Sequence, residues 1–262
     1  MTPRANLFTD GAAYERLMGR WSRQAGEVFL DWIGVAPNLR WLDIGCGTGV
    51  FTSQVVRRCS PTEIIGVDPS ADQLAFARRQ TGLENVSFEV ADAQSLPLLD
   101  TSFDVAAMAL VIHFVPDPAK GVAEMARVLT PGGLAAAYVW DYAGKQSATS
   151  PLVAAMKTIG IDSPPPPSAG ATACQTLDAL WRGAGFTQVE TRPIAVTVEF
   201  PDFDDFWDSM TVPVGPAGKA ISKMSSAEKE RLRAALREPV PADPDGRYAF
   251  PAVANAVKGR KP

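Results

Sequence analysis

Between Arg40 and Trp140 short apolar runs alternate with helical periods, and three successive runs end in an aspartate. Such alternation calls for a parallel sheet with helices on both faces. The strands expected from it are Arg40–Ile44, Ile64–Asp68, Val86–Val90, Phe103–Leu110 and Leu134–Trp140. The fourth is apolar enough to be buried on both faces. Ser70 and Gln73 have capping-box spacing for a helix reaching about Gln80, and Asp117-Pro118 reads as an N-cap followed by proline at the first helical position. "TPGG" (Thr130–Gly133) turns the chain into the fifth strand.

Outside this stretch the signals are more varied. Gly11 to Gly34 is helical, with Leu17, Trp21, Ala25, Val28, Phe29 and Trp32 at spacings of three and four. Residues 141–173, with four consecutive prolines from Pro164 to Pro167, have no clear period and read as an irregular loop, disordered or marginal to a lid. Helices are expected at 174–183, 202–210 and 225–237, the last with a capping box at Ser225 and Glu228. Strands are expected at 188–200 and 248–257, seven in all.

Composition narrows the partners. The hydrophobic fraction is 46%, enough for a real core, and the net charge of −4 comes without any block of like charges, which argues against nucleic acid. Cys46, Cys59 and Cys174 are widely spaced with no CxxC, so neither a zinc site nor a disulfide framework follows. The N-terminal stretch lacks the apolar core of a signal peptide, and the run Val105–Ile112 falls far short of the about 20 residues that span a bilayer. A cytoplasmic protein free of the membrane is expected.

The glycine loop "LDIGCGTGVF" (Leu42–Phe51) sets the ligand class. Glycines after the first strand of an α/β sheet occupy the cofactor crevice beside a helix N-terminus. A dinucleotide loop reads GxGxxG; here Val50 stands where the third glycine belongs, and Asp43 lies two residues before Gly45. A carboxylate there repels a pyrophosphate and suits a cationic ligand, which points to S-adenosylmethionine, with its ammonium and sulfonium and no phosphate. Asp68, ending the second strand, suits bidentate capture of ribose hydroxyls, a role that serves NAD equally well. Asp92-Ala93 offers a carboxylate and a backbone N–H where an adenine edge would lie.

"LDIGCGTG", "GVDPS", "ADAQSLPLLDTSFDV" and "RVLTPGG" together resemble, in order and spacing, the motifs of class I S-adenosylmethionine-dependent methyltransferases. The resemblance covers about residues 38–140 and is strongest to the small-molecule branch (methyltransferase type 11) that includes the ubiquinone/menaquinone-biosynthesis enzymes. It implies one methyltransferase domain over 1–262 with a Rossmann-like, doubly wound, mostly parallel sheet and an antiparallel last strand. Within it, 1–37 would be a helical cap, 38–140 the cofactor core, 141–173 the irregular loop, and 174–262 the closing strands. A helical excursion at about 201–238 would cover the acceptor pocket.

The resemblance also assigns residues. Gly45, Gly47 and nearby backbone would hold the methionyl part, with Asp43 at its amino group. Asp68 would bind the ribose and Pro69 would pack near the adenine. Asp92 and Ala93 would bond the adenine, and the Leu110 carbonyl would face the ammonium. His113, the only histidine, has two readings: a general base, or a wall of the acceptor pocket. Trp140 and Trp207 are candidate pocket linings, and Tyr14 or Arg20 could reach the cofactor carboxylate. "ALVIHFVPD" lacks the Asn/Asp-Pro-Pro-aromatic tetrad of nucleic-acid amino methyltransferases. The expected partner is therefore a small apolar or aromatic methyl acceptor, with a homodimer compatible. The competing readings are a non-catalytic S-adenosylmethionine-binding module and, further off, an NAD-dependent reductase.

Overall fold

The computed structural model describes residues 11–262, with side chains from residue 15 onward. The first ten residues of the expected cap, and the Tyr14 side chain, lie outside that description. Seven strands form one sheet in the order β3-β2-β1-β4-β5-β7-β6. They are β1 (Arg40–Ile44), β2 (Glu63–Asp68), β3 (Ser87–Val90), β4 (Phe103–Ala109), β5 (Leu129–Trp140), β6 (Thr187–Phe200) and β7 (Tyr248–Arg260). β1 to β5 pair in parallel, and β7 inserts antiparallel between β5 and β6.

Alternation along the central strands sends successive residues to two different cores. Trp41, Val105, Ala107, Tyr138 and Trp140 face α1 (Gly11–Ile33) and α2 (Val50–Cys59). Leu42, Ala106, Met108, Ala137 and Val139 face α4 (Pro118–Val128) and α6 (Cys174–Gly183). α1 sits on the sheet through Trp21, Ala25 and Phe29, all at most 1% exposed. Each large side chain so buried contributes about 1.5–3 kcal/mol. α3 (Ala71–Ala77) covers β3 through a small cluster of Leu74, Ala77, Leu83 and Phe88. The remaining helices, α7 (Phe203–Met210), α8 (Gly215–Ile221) and α9 (Ser226–Arg237), form the excursion between β6 and β7 on the α1 side.

Several caps match the expectations. Ser70 accepts from the Gln73 N–H, Asp117 caps α4 ahead of Pro118, and the Ser225–Glu228 capping box is complete. α3 ends at Ala77 rather than near Gln80, because Arg78 closes it and its guanidinium turns to the Phe88 carbonyl at 2.6 Å. β5 starts at Leu129, the TPGG stretch making an irregularity in its pairing with β4 rather than a turn before the strand.

The segment 141–173 is a correction. It holds a helix, α5 (Ser150–Thr158), and a 3-10 turn at Ala169–Thr172, and buries Ser147, Ala148, Leu152, Ala155, Met156, Ala171 and Thr172 while other residues stay exposed. α5 carries Pro151 in its first turn, where the missing N–H costs nothing, and buries Leu152, Ala155 and Met156 on the side where it meets α9. The proline run is tied down from its C-terminal side: Ser168 donates its N–H to the His113 carbonyl at 3.0 Å and its hydroxyl to the Val115 carbonyl at 2.7 Å. α8 also had no expected counterpart; its start, Gly215-Pro216, reads as a turn in sequence.

Candidate functional site

The crevice forms where β1, β2 and β3, neighbours in the sheet, run out on one edge. There the Val67 carbonyl accepts from both Gly45 N–H (2.7 Å) and Cys46 N–H (3.0 Å), which folds the glycine loop back over β2. Gly45 and Gly47 both have positive φ, 74° and 53°. A Cβ on Gly45 would lie 2.4 Å from Cγ2 of Val111, so that glycine serves packing against the β4 end. A Cβ on Gly47 would meet only one atom, at 3.8 Å, so the backbone there is open to a ligand.

Asp43 is fully buried beneath this loop. Its Oδ2 accepts from the Thr52 hydroxyl at 2.6 Å, and its Oδ1 has no donor among the described residues. Burial pushes its carboxyl up to about 7; the Thr52 bond pulls down and the Asp68 charge adds to the rise. A buried carboxylate oxygen without a donor is free to accept one from a ligand. Asp68 bridges the loop from the β2 end, accepting from the Gly47 N–H at 3.1 Å and the Ser70 N–H at 2.8 Å, and burial raises its pKa as well. Pro69 follows, exposed on the rim. Asp92 lies beyond β3 with its carboxylate held by the Gln94 N–H (2.9 Å), while Ala93 is buried beside it.

Past the β4 end, Leu110 takes φ 62° and donates its N–H to the Tyr138 carbonyl at 2.8 Å. For a leucine that left-handed conformation costs about 1–2 kcal/mol, which the surrounding structure imposes and which re-aims the peptide at the strand end. Beyond it opens a cavity of about 960 Å³ walled by Leu110, His113, Trp140 and Tyr142 on the sheet side, by the proline run, and by Met210 and Val214 of the excursion. His113 is buried in a 3-10 turn with its ring 3.9 Å from that of Phe114 and 5.0 Å from that of Tyr142. Burial drags its pKa down to about 3, so the imidazole is neutral at physiological pH. Neither His113 Nδ1 nor Trp140 Nε1 has a partner among the described residues.

Residues 42–137, from β1 to β5, match the family described as "Methyltransferase domain". Residues 42–137 are a methyltransferase domain. Demethylmenaquinone methyltransferase of Staphylococcus aureus is 38% identical over 104 residues, 39% of this chain and 43% of that protein. The chain thus spans less than half the length of the curated relatives it matches. The fold extends further. Phosphoethanolamine N-methyltransferase 2 of Haemonchus contortus, in complex with S-adenosyl-L-methionine, aligns with a TM-score of 0.59 at 19% identity, over 96% of this chain and 56% of that one. The YcgJ protein of Bacillus subtilis aligns with a TM-score of 0.58 at 20% identity, over 90% of this chain and 97% of that one. At those identities the likeness is one of fold: the class I, Rossmann-like arrangement of the methyltransferase domain with its closing strands.

The fold gathers Asp43, Gly45, Gly47, Asp68 and the Leu110 backbone around one crevice, and brings His113 and Trp140 together in the adjoining cavity. Trp207 does not reach the cavity; it lies half-buried near the Arg233 guanidinium, and Met210 and Val214 take the pocket position instead. Arg20 turns away from the crevice, ion-paired to Asp205 at 2.8 Å and lying over the Phe200 ring. Among the described residues of α1, Glu15 meets the glycine loop, accepting from the Thr48 hydroxyl at 2.9 Å. Glu15 and Thr52 carried no sequence signal. Thr52 stands on α2, nine residues beyond Asp43, and only the strand–loop–helix turn brings the two side chains together.

Proposed function

We propose that this chain binds S-adenosylmethionine in the crevice of β1, β2 and β3 and methylates a small apolar or aromatic molecule held in the adjoining cavity. The observation that carries the reading is the unpartnered Oδ1 of Asp43 beneath an open glycine backbone. The residues present fit this cofactor: Asp43 would accept from the ammonium, Asp68 from the ribose hydroxyls, and Asp92 from the adenine amino group, with the Ala93 N–H beside it. Pro69 would lie against the adenine, and the Leu110 carbonyl would face the ammonium. When bound, the cofactor supplies a methyl group on a sulfonium, which a nucleophile takes by in-line displacement.

What remains for the protein is placement. A near-attack arrangement and exclusion of water can lower such a barrier by about 7–11 kcal/mol. The apolar walls formed by Leu17, Met18, Met210 and the proline run exclude water. With its pKa near 3, His113 is a weak base, and its neutral ring serves better to orient an acceptor than to take its proton. The cavity beside Leu110 favours an enzyme over a module that only holds the cofactor.

Calorimetric titration with S-adenosylhomocysteine tests the reading. Micromolar binding, weakened by about 1–3 kcal/mol in Asp68→Ala where buried polar groups lose their partner, is the expected result. If the wild-type protein binds neither S-adenosylhomocysteine nor S-adenosylmethionine, the reading is overturned.

A further inference from the structure

The charge on the cavity wall is one-sided. Among the described residues lining it the charged ones are Lys145 and Lys157, and none is Asp or Glu. That is not expected from composition, since the chain carries 29 acidic residues against 25 Lys and Arg. Lys145 lies in the turn after β5 at φ 56°, and Lys157 in the last turn of α5. Both are exposed at the rim, and neither has a carboxylate partner among the described residues. The hydroxyls of Ser147, Thr149 and Ser150 on the same wall bond one another and are already partnered.

A largely apolar cavity with two unpaired ammonium groups at its rim is complementary to a molecule with an apolar body and one anionic end. We infer that the molecule taken into this cavity is an apolar organic acid whose carboxylate pairs with Lys145 and Lys157 while its body lies between the proline run and the α8 start. The inference rests on reading the cavity as the acceptor site. It narrows "small apolar or aromatic molecule" to a carboxylic acid and disfavours protonated amines, which would meet two like charges and no carboxylate. The interior then holds the apolar body against Trp140 and His113, at the end of the cavity near Leu110.

The test uses the intact chain and three probes of equal length: decanoate, decanol and decylamine, titrated calorimetrically at low salt. Decanoate should bind about tenfold more tightly than decanol, two rim ion pairs of modest strength together giving such a factor. Decylamine should bind most weakly. The Lys145→Gln, Lys157→Gln double variant should erase the decanoate preference and leave decanol unchanged, and added salt should do the same. Decanoate no tighter than decanol, decylamine tightest, or no binding of any probe overturns the inference. S-adenosylhomocysteine titrated into the same preparations reads the cofactor crevice separately. Its binding together with a failed anion preference overturns this inference alone; its failure together with an intact preference supports the inference and overturns the methyltransferase reading.

Discussion

The Thr52 hydroxyl donates to Asp43 Oδ2 at 2.6 Å, and the second oxygen of the same carboxylate meets no donor among the described residues. The hydroxyl holds one carboxylate oxygen from α2 and leaves Oδ1 buried without a donor. Thr52→Val keeps the shape and removes the donor. Because hydrogen bonds to charged groups are worth about 1.5–3 kcal/mol, this variant should bind S-adenosylhomocysteine at least tenfold more weakly in a calorimetric titration at pH 7.5. Wild-type affinity in Thr52→Val would show that the bond has no part in holding the ligand.

Asp43 also predicts a pH dependence of binding. In the free protein burial holds its carboxyl near 7, so at pH 6 most molecules carry a proton where the ligand's ammonium must dock. Affinity for S-adenosylhomocysteine should therefore rise between pH 6 and 7.5, approaching tenfold per unit below the pKa. Asp43→Asn should bind weakly and show no such slope. A flat profile in the wild-type protein would place the ionisation of Asp43 outside this range.

Two buried groups give stability opposite pH slopes. Asp43 has a folded pKa above its unfolded one, so between about pH 4 and 7 the folded state holds the extra proton and stability falls as pH rises. His113 has a folded pKa near 3, below its unfolded value, so between about pH 3 and 6.5 the unfolded state holds the extra proton and stability rises with pH. The two largely cancel between pH 4 and 6.5. In thermal melts across that range, Asp43→Asn should expose a rising Tm and His113→Asn a falling one. Asp43→Asn should also melt higher than wild type at pH 7.5, by about 2–4 °C for each kcal/mol recovered, since it removes a buried charge that the free protein does not neutralise. Parallel profiles for all three proteins would refute both assignments.

Gly45 separates packing from ligand contact. Its φ of 74° and the Val111 side chain, 2.4 Å from where a Cβ would sit, exclude alanine on two grounds. Gly45→Ala should lower stability by about 1–3 kcal/mol, as overpacking in a well-packed site does, and abolish S-adenosylhomocysteine binding. Adding Val111→Ala relieves the clash but not the backbone strain, so denaturant melts should show partial recovery only. Full recovery would mean that the left-handed conformation costs nothing here.

The amino-acid sequence by itself determined the alternating core from Arg40 to Trp140, the three aspartates at strand ends and the glycine loop between them. These are local signals: strand periodicity, caps and turn chemistry act over a few residues, and parallel strands must end on one edge. The tertiary structure decided everything that depends on residues far apart in sequence. The Thr52–Asp43 bond exists because α2 folds back on β1. α5 forms on only three buried residues because α9 supplies the surface they cover, and nothing in a nine-residue, proline-led stretch announces that. Trp140 and His113 share a cavity because β4 and β5 are neighbours, and Arg20 is drawn off to Asp205 on a helix that begins over 180 residues later. The depressed pKa of His113 came from the same source: an imidazole's basicity is set by the depth of its burial, which the residues beside it in the chain do not encode.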